Sequence, residues 1–330
     1  MRVCDKNGTF FRSSQGFEGE GTEVICKRFN FQLSVLSQLS SVPNYLIPNH
    51  LIIQSSNHLS PNPYPLTPIM IRIAINGAAG RMGQRLVALA AIDRELSLVA
   101  ALESPQHPRL GEDAGAIAGA GTLDVPLTAT LNVPTDVVVD FSVPAAAEFI
   151  IETCRQKKIP LVEATTGLTD AQTEKLRAAA HEIPLLWAPN MSMAVCLAMK
   201  LAEIAAAALK DKDADVEILE RHHRYKEDSP SGTALKFGQI IAGAMGQTVH
   251  RHGREGRPGK RPHNEIGYHA IRLGDNPGEH TIVFSMLGET IELSVRATNR
   301  DCYALGGLSA AKFLVGKPAG LYGINDLLGL

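Results

Sequence analysis

The 330-residue chain has no cysteine framework, no excess charge of either sign and few aromatics, with a single tryptophan. Its five cysteines, Cys4, Cys26, Cys154, Cys196 and Cys302, form no CxxC pair and are too scattered for a disulfide scaffold. They read as reduced thiols of a cytoplasmic protein. Lys and Arg total 32 against 34 Asp and Glu, a formal net charge of -2. That balance gives no overall pull toward nucleic acid or a membrane, so small molecules are the expected partners. No HExxH or clustered-carboxylate motif accompanies the histidines, most of which fall between His222 and His280. The sequence therefore implies no metal.

Charge is also missing locally: between Arg28 and Arg72 there is no Asp, Glu, Lys or Arg, while Ser, Asn and Pro crowd the segment. Pro43, Asn44, Pro48, His50 and Gln54 interrupt any run that could span a bilayer, and the early acids Asp5, Glu18, Glu20 and Glu23 do not suit a secretory signal. Residues 1–69 are expected to be disordered. Met70 opens Met-Ile-Arg-Ile-Ala-Ile, which already reads as a strand. The natural start is accordingly expected at Met70, with an organelle-targeting segment as the alternative.

From there on the chain is patterned. Ile71–Ile75 is a short apolar run ending in Asn76-Gly77-Ala78-Ala79-Gly80-Arg81-Met82-Gly83, and Leu86, Val87, Leu89, Ala90 and Ile92 then recur at helical spacing. A strand, a glycine turn and a helix bring backbone amides close to a pyrophosphate. A second run, Leu96–Leu102, ends in Glu103, where a dinucleotide fold places the acid for the ribose hydroxyls. The spacing is GxxGxxG rather than GxGxxG, so the succession of elements carries this reading more than the glycines do. Asp136–Phe141, Ile159–Ala164 and Pro184–Ala188 repeat the strand-loop-helix pattern. A doubly wound parallel Rossmann-type α/β sheet follows, whose turns at 77–83, 141–144, 164–167 and 188–191 should converge on one cleft.

An alanine-rich helix is expected over about 192–209, with Leu197, Leu201, Ile204, Ala205 and Ala208 as its core face. Beyond it, Asp215–Glu220 and runs near 266–273, 280–287 and 290–297 alternate polar and apolar residues. They imply a second α+β domain on an open mixed sheet, one face free for other subunits. The expected division is 70–193 plus 301–330 for the dinucleotide and 194–300 for substrate and oligomerisation. Between strand and helix lies Glu220-Arg-His222-His223-Arg-Tyr-Lys226, then Asp228-Ser-Pro-Ser231-Gly232-Thr233. Histidine exchanges protons near neutral pH, lysine donates one or holds an anion, and a helix opened by Ser229 or Ser231 offers amides to a carboxylate. A capped helix after a solvated strand end is the plainer alternative. The basic stretch Arg251–Arg261 reads as a solvated loop.

The body from Met70 to Leu330 closely resembles the 4-hydroxy-tetrahydrodipicolinate reductases, or dihydrodipicolinate reductases, of bacterial lysine and diaminopimelate synthesis. The likeness rests on Gly77–Gly83, Asp140-Phe141-Ser142, Thr165-Thr166-Gly167, Ala188–Ser192, Gly253–Gly256, Gly278-Glu-His280 and, above all, Glu220–Lys226 with Asp228–Ala234. It implies His222 and Lys226 as catalytic proton donors, and His223, Ser231, Gly232 and Thr233 as the dicarboxylate site. It implies Gly77, Ala78, Ala79, Gly80, Arg81 and Met82 at the pyrophosphate and Glu103 at the ribose. Ala164, Thr165 and Thr166, with Ala188, Pro189, Asn190 and Met191, would hold the nicotinamide half of NADH or NADPH. The family is tetrameric, so a homotetramer is expected.

Two departures stand out: Ala164 where many members have glycine, and Ser104 where some have an arginine. A carboxylate at 103 without an adjacent cation favours NADH, unless Arg81 or Arg85 compensates. Another two-domain nicotinamide dehydrogenase would turn over a different carbonyl or alcohol. A nucleotide-sensing protein would bind NADH without needing His222 or Lys226.

Overall fold

A computed structural model describes residues 70–330 and two short strands, β1 (Arg2–Cys4) and β2 (Phe10–Arg12), which pair antiparallel with Val3 opposite Phe11. The rest of residues 1–69, on which the expected disorder falls, lies outside the described residues.

Seven strands form a wholly parallel sheet. In chain order they are β3 (Ile71–Asn76), β4 (Leu96–Leu102), β5 (Leu127–Thr128), β6 (Val137–Asp140), β7 (Leu161–Glu163), β8 (Pro184–Trp187) and β14 (Gly320–Tyr322). Their spatial order is β14-β8-β7-β6-β3-β4-β5. The chain moves outward from β3 to β5 and returns beside β3 at β6, so the switch point lies between the ends of β3 and β6. Every residue of β6 and β7 is buried, as expected of parallel strands covered on both faces.

One face carries Ile73, Ile75, Val139 and Val162 against α1 (Arg81–Ala90), α2 (Ala114–Ala118), α7 (Asp301–Leu314) and α8 (Ile324–Leu328). The other carries Ala74, Val138, Leu161 and Leu185 against α3 (Pro144–Lys157) and α4 (Asp170–Ala180). Proline at the start of α3 and a Thr169/Gln172 capping box on α4 explain those helix starts. α3 runs past Ile151, where the sequence pattern fades, to Lys157, with Lys158 at φ 55 closing it.

The second sheet is mixed, in the order β10-β11-β9-β12-β13. It comprises β9 (Asp215–His222), β10 (Val249–His252), β11 (Glu265–Arg272), β12 (Glu279–Met286) and β13 (Glu289–Arg296). β11 runs parallel to β9, and β12 antiparallel to it. Val216, Ile218, Ile266, Tyr268, Ile282 and Phe284 bury one face beneath α5 (Met193–Leu209) and α6 (Gly232–Met245).

Here one expectation fails. The buried face of α5 is Val195, Ala198, Ala202 and Ala206, while Leu197, Leu201 and Ile204 are exposed. A stripe of small side chains lets α5 come close to its neighbours, and the larger residues turn outward in consequence. The basic stretch is largely exposed, as expected of a solvated loop, but it is also tethered. Arg254 bonds Glu217 and Glu265, and Arg261 bonds Asp215 and Glu217, so the segment is fastened across the sheet face that α5 and α6 leave uncovered.

Candidate active site

The glycine turn follows β3 directly. Gly77 takes φ 74, a conformation that glycine adopts without strain, and the amides of Gly77 and Ala78 both donate to Leu102 O at 3.0 Å. At Gly83 a Cβ would stand 2.0 Å from Gly77 O, so only glycine lets α1 pack on its own turn. The N-cap of α1 is Gly80, which has no side chain to satisfy the first-turn amides. The start of α1, at Arg81 and Met82, is thus equipped to hold an anion. Glu103 reaches the same turn: Oε2 accepts from Ala79 N at 3.2 Å and Oε1 from Ser104 N at 3.0 Å. Arg85, one of two possible compensating cations, is committed to Asp301 through two hydrogen bonds of 2.7 and 2.9 Å. Arg81 stays exposed at the helix start.

The other turns lie along the same sheet edge. Ala164 N donates to Asp140 O, Ala188 N to Glu163 O, and a Cβ on Gly77 would be 3.0 Å from Ser142 Cα. The Ala164 methyl is buried in the apolar cluster that also contains Val162, Ala188 and Met191. Thr165 is buried and turns its hydroxyl to Asp140 Oδ2 at 3.2 Å, whereas Thr166 and Pro189 are exposed. Asn190 accepts from Ser192 N and, through Nδ2, donates to Thr233 Oγ1 at 3.3 Å. That contact joins the turn after β8 to the start of α6.

In the second sheet His222 ends β9. Its Nδ1 lies 2.6 Å from Glu220 Oε2. An ionised carboxylate only accepts, so Nδ1 carries the hydrogen and Nε2 is left to exchange a proton. Gly278 has φ 150, and a Cβ there would stand 3.0 Å from that Nε2; glycine keeps the space clear. Glu220 also accepts from Ser231 N at 3.0 Å and from both Arg272 terminal nitrogens, at 2.7 and 2.8 Å. Burial alone would raise its pKa, but hydrogen bonds from Arg272, His222 and Ser231 outweigh it and hold Glu220 below the usual carboxylate range. Burial lowers His222, an effect that the bond to Glu220 opposes and the charges of Lys226 and Arg272 reinforce.

Ser231, rather than Ser229, caps α6: its hydroxyl accepts from Ala234 N at 3.1 Å. Its oxygen is also 3.0 Å from His280 Nε2. Burial first, and the neighbouring His222 second, push His280 down to about 4, so the ring is neutral at pH 7 and shares one hydrogen with the Ser231 hydroxyl, whose donor is set by the His280 tautomer. The Ser231 hydroxyl is therefore occupied by cap and histidine. A side chain at Gly232 would meet open space, and the first-turn amides there face it. Lys226 pairs with Asp228 at 2.8 Å, and His223 Nδ1 is buried with no partner.

Two contributors were given no role by the sequence, although His280 closes the Gly278-Glu-His280 match. Arg272 reaches Glu220 because parallel pairing sets it opposite His222, and His280 arrives opposite Glu220 on β12. Both are distant in the chain from the groups they contact, Arg272 by 52 residues from Glu220 and His280 by 49 from Ser231. Among the described residues no three His, Cys, Asp or Glu side chains group as a metal site, and no helix is long and apolar enough to cross a membrane.

The family model of dihydrodipicolinate reductase, N-terminus, matches residues 71–191, and that of dihydrodipicolinate reductase, C-terminus, matches residues 194–328. A 4-hydroxy-tetrahydrodipicolinate reductase from Rhodopirellula baltica is 54% identical over 270 residues, covering 79% of this chain and 96% of the relative. One from Alkalilimnicola ehrlichii is 45% identical over 265 residues, covering 78% and 99%. Among solved structures, the dipicolinate-bound dihydrodipicolinate reductase of Paenisporosarcina sp. TG-14 superposes with a TM-score of 0.64 at 28% identity, covering 78% of this chain and 99% of that one.

Proposed function

Because the chain belongs to the dihydrodipicolinate reductase family, we infer that it reduces 4-hydroxy-tetrahydrodipicolinate to tetrahydrodipicolinate with a nicotinamide coenzyme, in lysine and diaminopimelate biosynthesis. The observation that carries this reading is the Asn190–Thr233 hydrogen bond, which sets the edge of the parallel sheet against the α6 start and the His222 cluster. The site residues fit such a coenzyme: an uncapped helix start over a glycine turn for the pyrophosphate, and Glu103 beside it for the ribose. The turns Ala164–Thr166 and Ala188–Met191 are assigned to the nicotinamide half. When bound, the nicotinamide supplies the hydride.

The chain's own groups do the rest. The amides opening α6 at Gly232 and Thr233, with His223, receive the substrate carboxylates. Dipicolinate, seen in the Paenisporosarcina relative, is a ring with two carboxylates, which supports a dicarboxylate as partner. Glu220 fixes the His222 tautomer so that Nε2 gives a proton directly or through water, and the Lys226 ammonium is the second donor. Two carboxylates arriving beside His222 would raise its pKa and favour the protonated donor.

NADH is assigned as the preferred coenzyme, since Ser104 offers no cation and Arg85 is held by Asp301. A homotetramer is assigned too, built on the β12–β13 part of the sheet face opposite α5 and α6, which the arginine-tethered stretch does not reach. Light scattering of the purified protein tests it, and a monomer would exclude it. A cytoplasmic location is assigned as well, on the scattered cysteines, without a CxxC pair, of a biosynthetic enzyme.

The activity is tested by generating the unstable substrate with dihydrodipicolinate synthase in the cuvette. NADH absorbance should fall only when that coupling enzyme is present. Oxidation of NADH by an unrelated carbonyl compound, with none by this substrate, would reject the reading.

A further inference from the structure

Asn76, Asp140, Glu163 and Trp187 end four adjacent strands and stand opposite one another in register, Asn76 with Asp140, Asp140 with Glu163, and Glu163 with Trp187. Asp140 and Glu163 are both 0% exposed. Asp140 is well supplied with donors: Oδ1 accepts from Asn76 Nδ2 at 2.9 Å and Ser142 N at 3.0 Å, and Oδ2 from Thr165 Oγ1 at 3.2 Å. Glu163 has one, Thr165 N on Oε1 at 2.8 Å, and its Oε2 is buried with no partner. Neither acid forms an ion pair with a described Lys, Arg or His.

Two carboxylates buried side by side without a cation cannot both be ionised. The three donors on Asp140 favour its charged form, so the proton falls to Glu163. Burial first, and the charge of Asp140 next, push Glu163 up to about 9. The elements around the pair supply no neutralising charge. α3 brings Cys154, whose thiol burial and the two acids hold protonated. β3 brings Asn76, and β8 brings Trp187, whose indole Nε1 is buried and also lacks a partner. α4 brings Arg177, which stands over that indole at 6.0 Å rather than on either acid. Glu148 of α3 pairs with Lys175 of α4 on the outer surface.

We propose that Asp140 and Glu163 hold one proton between them, carried on Glu163 Oε2 and aimed at Asp140, and that this proton positions the Ala164–Gly167 turn for the coenzyme. Thr165 is the coupling element, with its amide on Glu163 and its hydroxyl on Asp140. Loss of the proton puts two charges in a buried site without a counter-ion and loosens both of its bonds. The positioning role rests on the assignment of this turn to the nicotinamide half. Glu163 is thus a positioning residue and not a catalytic one.

The experiment compares the native protein with Glu163→Gln, which keeps a donor and an acceptor but cannot titrate, and with Glu163→Leu, which keeps neither. The first readout is the thermal midpoint from pH 5 to 9.5, with no coenzyme present. A carboxyl raised in the folded state contributes fully below its unfolded value and loses that contribution as pH rises toward about 9. The Gln variant should therefore gain on the native protein steadily across that range. Parallel profiles would overturn the shared proton.

The second readout is KM for NADH. It should rise in the native enzyme as pH passes about 9, stay level in Glu163→Gln, and be raised about five- to tenfold at every pH in Glu163→Leu, the effect of one lost hydrogen bond. An identical alkaline rise in the Gln variant would overturn the positioning role. A protein that binds no nicotinamide nucleotide would overturn that role together with the assignment beneath it, while the stability profile still decides the shared proton.

Discussion

Glu163 and Glu220 are both buried glutamates near the carboxyl end of a strand, one in each sheet, and their surroundings drive them in opposite directions. Around Glu220 converge Arg272, the His222 ring and the Ser231 amide, and the carboxyl is held ionised. Around Glu163 there is one amide and another acid, and the carboxyl is pushed up to about 9. Burial is common to both, so burial does not decide the charge; the count of donors and the sign of the neighbours do. Each state suits its place. A permanent anion fixes the tautomer of the histidine proposed to exchange a proton, and a protonated acid, as proposed, would be a donor that ties two strand ends to one turn.

The largest expected effects come from His222, which Glu220 orients, and from Lys226, which pairs with Asp228 instead. His222→Gln and Lys226→Ala should each lower kcat by about 10²–10⁴-fold in the coupled assay, the range for general acid–base groups. Rates near native would remove them from the mechanism and leave Glu220 a structural anion.

Glu220→Gln tests the contrast itself. Leaving Arg272 without its anion should destabilise the fold by about 3 kcal/mol at neutral pH, as for a broken buried pair. A carboxyl depressed in the folded state contributes above its unfolded value and loses that contribution as pH falls, so the deficit should shrink on acidification. Glu163→Gln should move the other way, and the same sign of pH dependence in both would break the comparison. Glu220 also raises His222, so in Glu220→Gln the alkaline limb of kcat/KM should shift to lower pH.

Smaller changes sharpen the junction between the two halves. Thr233→Val removes the partner of Asn190 and should raise KM several-fold for the dicarboxylate, about 0.5–1.5 kcal/mol for a neutral hydrogen bond. The smallest expected difference is in the coenzyme. NADH should give the higher kcat/KM, and Ser104→Arg should narrow the gap by pairing with a 2′-phosphate. A large native preference for NADPH would point to Arg81 as the compensating cation.

Much of this was readable from the chain. The glycine turn, Glu103, the Ser231 region and the His222–Lys226 stretch are local signals, because a turn, a cap or a strand end is specified by residues a few positions apart. The misread face of α5 shows where that reading fails. Periodicity places Leu197, Leu201 and Ile204 inward because they are the larger apolar residues, whereas close packing selected the alanine stripe. The fastening of Arg254 and Arg261 was hidden for a similar reason: their acids, Glu217, Glu265 and Asp215, lie on other segments.

By itself the sequence determined the doubly wound half, the mixed second sheet and the stretch to which the proton chemistry is assigned. All of these follow from short-range patterns of apolar spacing, glycine and capping residues. Only the tertiary structure decided which acids are charged. The partners of Glu220 come from β11 and from α6, and the partner of Glu163 comes from the adjacent strand β6. Strand register, which no local pattern encodes, puts an arginine beside one acid and a second carboxyl beside the other.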